Sequence, residues 1–170
     1  MATYTFIHVV ISLIGIGSGL VVLAGLLRAK RLDRWTAVFL ASTIATSATG
    51  FGFPVDRLLP SHVVGAISLV VLAVAVFARY TRRLAGPWRS TYVVTAVIAL
   101  YLNVFVLIVQ TFQNVPALRA VAPTQSEPPF AATQLAALAV FIALGIAASI
   151  TFRIEPARPT SPGRMPVSGV

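Results

Sequence analysis

Long apolar runs, each about long enough to cross a bilayer, alternate with short connections, and Lys and Arg crowd into every second connection. Arg28, Lys30, Arg31 and Arg34 form one group, Arg79, Arg82, Arg83 and Arg89 a second, and Arg153, Arg158 and Arg164 a third. Of the 13 Lys and Arg residues, only Arg57 and Arg119 lie elsewhere. A hydrocarbon core of about 30 Å takes roughly 20 helical residues at about 1.5 Å each. No water is present there to bond an open backbone, so only helices or closed barrels can span it. Runs of this length read as helices, because strands are shorter. Basic connections stay on the cytoplasmic side. The pattern therefore predicts an all-α integral membrane protein with five transmembrane helices, its N-terminus outside and its C-terminus inside.

The helices are expected at about 4–27, 35–53, 61–78, 90–113 and 130–152, in a single domain covering 1–155. The tail 156–170 is rich in Pro, Ser and Gly and is expected to be a disordered cytoplasmic segment. Pro54 closes the second run, Gly86-Pro87 marks a turn in the second basic link, and Pro116 suits the start of a short interfacial helix over 115–121. The stretch from Ala122 to Pro129 is read as non-helical. The first run has no basic segment before it and ends in basic residues, so it is expected to be retained rather than cleaved as a signal peptide. Trp35, Tyr80, Trp88 and Tyr92 fall at the inner boundaries, where aromatic rings anchor helices among headgroups.

Composition agrees with this architecture. The chain is 58% hydrophobic and 10% charged, where soluble domains carry about 25% charged residues, and its mean hydropathy is +0.91. A net charge of +9 taken alone would suggest nucleic acid. The charges flank apolar spans instead of forming one basic face, so no nucleic-acid partner is expected. Their partner is the lipid bilayer and its anionic headgroups. The absence of Cys excludes disulfides, thiolate metal sites and cysteine nucleophiles.

Helices in lipid associate through close backbone approach and hydrogen bonds. His8, Ser12, Gly15 and Gly19 share one face of the first helix. Gly15-Ile-Gly17-Ser-Gly19 has the look of a nucleotide loop, but no strand precedes it, and that reading fails. The second helix carries two small-residue rows, Ala41/Ala45/Thr49 and Ser42/Thr46/Gly50, and is expected to be central. No internal repeat is visible, and five helices do not divide into two inverted halves, which argues against the common transporter architectures.

The remaining polar side chains gather toward the outer surface: His8; Asp56, Arg57 and His62; Gln110, Gln113 and Asn114; Gln125 and Glu127; and Gln134. Polar groups held in a membrane are functional candidates, because leaving them unpaired there is costly. His8 and His62 are read at similar depth. They are open to ordinary structural hydrogen bonding, to axial ligation of a haem b, or to proton or quinone chemistry. Asn103, Gln110 and Asn114 recur at i, i+7 and i+11 as a polar stripe on the fourth helix. That stripe is compatible with helix–helix bonding or with a vestibule opening outward. Zinc would need Asp56 or Glu127 in addition to the histidines, at spacings that form no known ligand motif. No serine triad, HExxH, phosphate-binding loop or carboxylate pair is present.

Leu58–Gly65, Tyr101–Gln110 and Ala122–Phe130 resemble segments of small bacterial integral membrane proteins of unassigned function. The resemblance implies a bacterial inner membrane and supplies no activity. The combined expectation is a non-enzymatic bundle without a cofactor or metal. Its outward polar vestibule would be lined by His8, His62, Asn103, Gln110, Asn114 and Gln134, and it would bind a small molecule, a lipid or a partner helix. Self-association or another membrane subunit stays open. Two alternatives remain: a haem- or quinone-associated redox subunit using His8 and His62, and a small transport component.

Overall fold

The computed structural model describes residues 2–52 and 60–152 and is built from helices, with no strand among them. Asp56, Arg57, the third basic group and the tail 156–170 lie outside the described residues. In chain order the elements are α1 (Ala2–Leu26), α2 (Asp33–Gly50), α3 (Pro60–Val76), α4 (Trp88–Asn114), α5 (Pro116–Val121) and α6 (Pro128–Thr151). A π-helical turn, Phe77–Thr81, continues α3. Four stretches are long and apolar enough to cross a membrane: Thr3–Leu26, His62–Thr81, Trp88–Asn114 and Pro128–Thr151. The helix α2, weighted toward Ser and Thr and opening on Asp33-Arg34, is not among them.

Local chemistry explains where these helices stop. α1 ends in a Schellman arrangement: Lys30 N–H donates to Gly25 C=O at 2.8 Å, Ala29 N–H donates to Leu26 C=O at 3.1 Å, and Ala29 takes a left-handed φ of 53°. Leu32 then folds back onto Gly25, where a Cβ would come within 2.7 Å of Leu32 Cδ1 and would force that side chain to shift. α3 runs past the expected end near residue 78 because the ladder widens instead of breaking. Arg82 N–H reaches Phe77 C=O, and Leu84 N–H reaches Ala78 C=O. Arg83 and Leu84 both sit at positive φ, which tucks Leu84 into the core at 2% exposure. α4 stops at Asn114 because Pro116 holds Val115 extended at φ −88°, ψ 115°. Pro128 and Pro129, read from sequence as non-helical, open α6. The first helical turn needs no backbone N–H there, and proline's fixed φ suits it.

The helices α1, α2, α3 and α4 form a ring in which each packs on the next and α4 closes on α1, while α6 lies against α4 and touches α1. Side-chain pairs set the directions. His8 with Thr49 and Gly19 with Phe39 make α1 and α2 antiparallel; Ser47 with Ser68 and Asp33 with Arg79 do the same for α2 and α3. Tyr101 with Phe141 and Phe112 with Phe130 make α6 antiparallel to α4. Both described basic links consequently lie at one end of the bundle, where Arg79 meets Asp33 and Arg89 lies 5.9 Å from the Phe152 ring. The apolar core sits toward that end, around Leu23, Phe39, Leu72, Tyr92 and Leu100.

Candidate functional site

A polar seam follows α2 through the bundle. At the basic end, the π-helical turn swings Arg79 inward, to 6% exposure, against the carboxylate of Asp33. Its guanidinium lies 5.2 Å from the centre of the Tyr92 ring, and the Tyr92 hydroxyl is 3.3 Å from Thr36 Oγ1. Halfway along, Asn103 Nδ2 donates to Thr43 Oγ1 at 3.2 Å. Gly15 makes room for that junction: a Cβ on it would lie 3.2 Å from Thr43 Oγ1, 3.3 Å from Asn103 Nδ2 and 3.4 Å from Ser42 Oγ. Further on, Ser47 Oγ donates to Ser68 Oγ at 3.0 Å, joining α2 to α3.

The seam ends at the two histidines. Thr49 Oγ1 lies 2.7 Å from Ala45 C=O and 2.8 Å from His8 Nδ1, a hydrogen bond whose direction follows the imidazole tautomer. Tyr4 Oη donates to Thr49 C=O at 2.5 Å, and Ser12 Oγ donates to His8 C=O at 2.7 Å. His62 is buried on α3, with its ring 5.5 Å from that of Phe51. His8 thus packs at α1–α2 and His62 at α2–α3, each with its own protein neighbours. Among the described residues, no group of three or more His, Asp and Glu is placed to hold a metal ion.

The stripe on α4 divides. Asn103 is buried, whereas Gln110 and Asn114 are exposed and pair with each other, Asn114 Nδ2 donating to Gln110 C=O at 2.8 Å and to Gln110 Oε1 at 3.2 Å. The cause is length. Thr43 is level with Asn103, so α2, running parallel to α4, gives out at Gly50 near the level of Gln110 and leaves that side of the last turns of α4 uncovered. Gln134 is buried between α6 and α4, where Nε2 donates to Phe105 C=O at 3.3 Å. Its Oε1 and Thr46 Oγ1 are buried atoms without a hydrogen-bond partner.

A cleft of about 300 Å³ opens at this end between the last turn of α4 and the α4–α6 connection. It is lined by Phe112, Gln113, Arg119, Ala122, Pro123 and Gln125. Gln125 adopts a left-handed φ of 61°, and both ends of its amide are engaged: Nε2 donates to Val109 C=O at 3.0 Å, and Oε1 accepts from Gln113 Nε2 at 3.4 Å. Glu127 closes the same loop, accepting from Thr124 N–H at 3.1 Å, Thr124 Oγ1 at 2.8 Å and Ser126 N–H at 3.1 Å. Desolvation pushes this carboxyl up, but the hydrogen bonds from Thr124 and from the Glu127 and Ser126 backbone together outweigh it and hold the pKa below its ordinary 4.5.

No protein-family model, curated protein or solved structure matches this chain. Three residues that sequence reasoning passed over are Asp33, Arg79 and Arg119. Arg79 reads as one more orienting charge until the π-helical turn carries it into the bundle. The available signal was Asp33, the lone acid in the first basic link.

Proposed function

We propose that this chain is a five-span protein of a bacterial inner membrane, N-terminus outside, which binds a small anionic or strongly polar molecule in the cleft beneath the α4–α6 connection. Support for α2 as the fifth span comes from its exposed apolar face. Thr36, Thr43 and Ser47 are buried beside Phe39 and Leu40, while Trp35, Val38, Ala41, Ile44 and Ala48 are exposed. In water so many exposed apolar side chains opposite buried hydroxyls would be unfavourable. In lipid it is the favourable arrangement, with hydroxyls bonding inside the bundle and apolar side chains meeting acyl chains. The other spans also present apolar residues outward, among them Phe6, Val70, Leu135 and Ile150 at 61–69% exposure.

The observation that carries the binding reading is the built wall of the cleft. A loop holding a non-glycine residue in the left-handed region costs energy, and such positions concentrate at ligand sites. Here Gln125 is held so, with Arg119 supplying charge and Gln113 an amide beside it. The set can fix a carboxylate or carbonyl group by charge and hydrogen bonds, and it contains no nucleophile with a base beside it, so binding is favoured over catalysis. The experiment is a thermal-stability screen of the detergent-solubilised protein against acetate, succinate, benzoate and the matching neutral amides. We expect at least one carboxylate to raise the midpoint of the wild type and to lose that effect in Arg119→Gln. A flat response to the whole series, or a shift that persists in Arg119→Gln, would overturn the reading.

A further inference from the structure

A second site lies at the other end of the molecule, on the lipid-facing side. Between α4 and α6 runs an open groove of about 440 Å³. Its floor is buried Val97 and Phe141, and its walls are exposed Val94, Ile98, Ile142 and Ile146. α4 and α6 approach closely at Gly145, where a Cβ would stand 3.3 Å from Val97 Cγ1. The groove begins at Ser90 and ends where the Tyr101 and Phe141 rings meet at 5.7 Å. At about 1.5 Å per residue, Ser90 to Tyr101 spans roughly 16 Å, half of an approximately 30 Å hydrocarbon core. It therefore runs the depth of a single leaflet.

At Ser90 the groove meets a different space, a recess of about 470 Å³ lined by Gly86, Pro87, Arg89 and Ser90. The surrounding link carries Arg82, Arg83 and Arg89 and no acidic residue of its own, while Arg79 is turned inward onto Asp33. Arg89, which lines the recess, lies 5.9 Å from the Phe152 ring, and Arg82, elsewhere on the same link, lies 5.1 Å from the Trp88 ring. A cationic recess at the membrane surface, opening into an apolar channel one leaflet deep, matches the two halves of one kind of molecule.

We propose that the α4–α6 groove and the recess at Arg89 together bind an anionic phospholipid of the inner leaflet, with the phosphate at Arg89 and Ser90 and one acyl chain along Val94, Ile98 and Ile142. A second copy of this chain fits less well. Its net charge is +9, and pairing this face with itself would bring like-charged arginine links together. The inference rests on the membrane orientation proposed above, which makes this the inner leaflet, and is independent of the cleft at the opposite end.

The test is native mass spectrometry of the full chain, delipidated in detergent and titrated with phosphatidylglycerol or phosphatidylcholine. Phosphatidylglycerol should bind on the order of tenfold more tightly, as expected for one or two basic contacts at about 1 kcal/mol each. Arg89→Gln should remove that preference and Arg89→Lys should restore most of it. Ile98→Trp, which fills the groove, should weaken both lipids, and Gln113→Ala, in the distant cleft, should change neither. Inorganic phosphate at millimolar concentration should not compete. Equal binding of the two lipids, indifference to Arg89→Gln and Ile98→Trp, or competition by free phosphate would each overturn the proposal. So would a dimer that Ile98→Trp dissociates.

Discussion

Arg79 shows how one side chain can serve as something other than an address. It is buried against Asp33 and the face of Tyr92, whereas the Asp33 side chain is 72% exposed. The two partners are therefore unequal. Removing the acid leaves a cation in a desolvated site, while removing the cation leaves an acid that water can solvate. We expect Asp33→Asn to destabilise the protein by roughly 1–3 kcal/mol, and Arg79→Met, of similar volume, to cost distinctly less. Unfolding in mixed micelles measures both, and a larger loss in Arg79→Met would refute the account. Glu127 offers a second residue-level test. Its carboxyl is held below 4.5 in the folded loop by Thr124 and Ser126. Loop order from this group is thus present above that pH and lost as the pH falls through the lower folded value. Carboxyl titration by NMR should place the Glu127 midpoint below 4.5, and Thr124→Ala should move it back up. An unmoved midpoint would show that the Thr124 bonds do not set it. None of this was legible from residue types, since Glu127 and Arg79 have the ordinary appearance of loop charges.

At the scale of elements, apolar run length located the long helices, and Gly86-Pro87 and Pro116 marked breaks, because those signals are local. What remained hidden were terminations that depend on hydrogen-bond geometry. The Schellman turn after α1 places Ala29, not a glycine, at φ 53°. Left-handed backbone strains a residue bearing a Cβ, so Ala29→Gly should stabilise the protein by about 0.5–1 kcal/mol. A neutral or negative change in the same unfolding measurement would argue against a strained cap. The π-helical turn after α3 is likewise invisible in composition. It requires Leu84 to fold back and bond Ala78, a tertiary event that rotates Arg79 toward α2. The stripe Asn103/Gln110/Asn114 was legible as one face of a helix. Its division into one buried and two exposed members follows from where the neighbouring helix ends.

At the scale of the molecule, both described basic links lie at one end, and the histidines and the α4–α6 connection lie at the other. If that axis stands across an inner membrane, a cysteine at Ser126 should react with a membrane-impermeant maleimide in intact cells. One at Gly163 should react only after permeabilisation, and the reverse labelling would invert the orientation. The sequence by itself determined that the chain is helical and apolar, and that its cations concentrate in alternate links. These follow from run length and charge position, which act residue by residue along the chain. Only the tertiary structure decided which polar groups meet: Asn103 with Thr43, His8 with Thr49, and Arg79 with Asp33. Lipid gives helices little hydrophobic reason to choose partners, so the choice rests on close packing at Gly15 and Gly19 and on hydrogen bonds between distant residues. Such contacts exist only once the helices have assembled, and a linear pattern does not contain them.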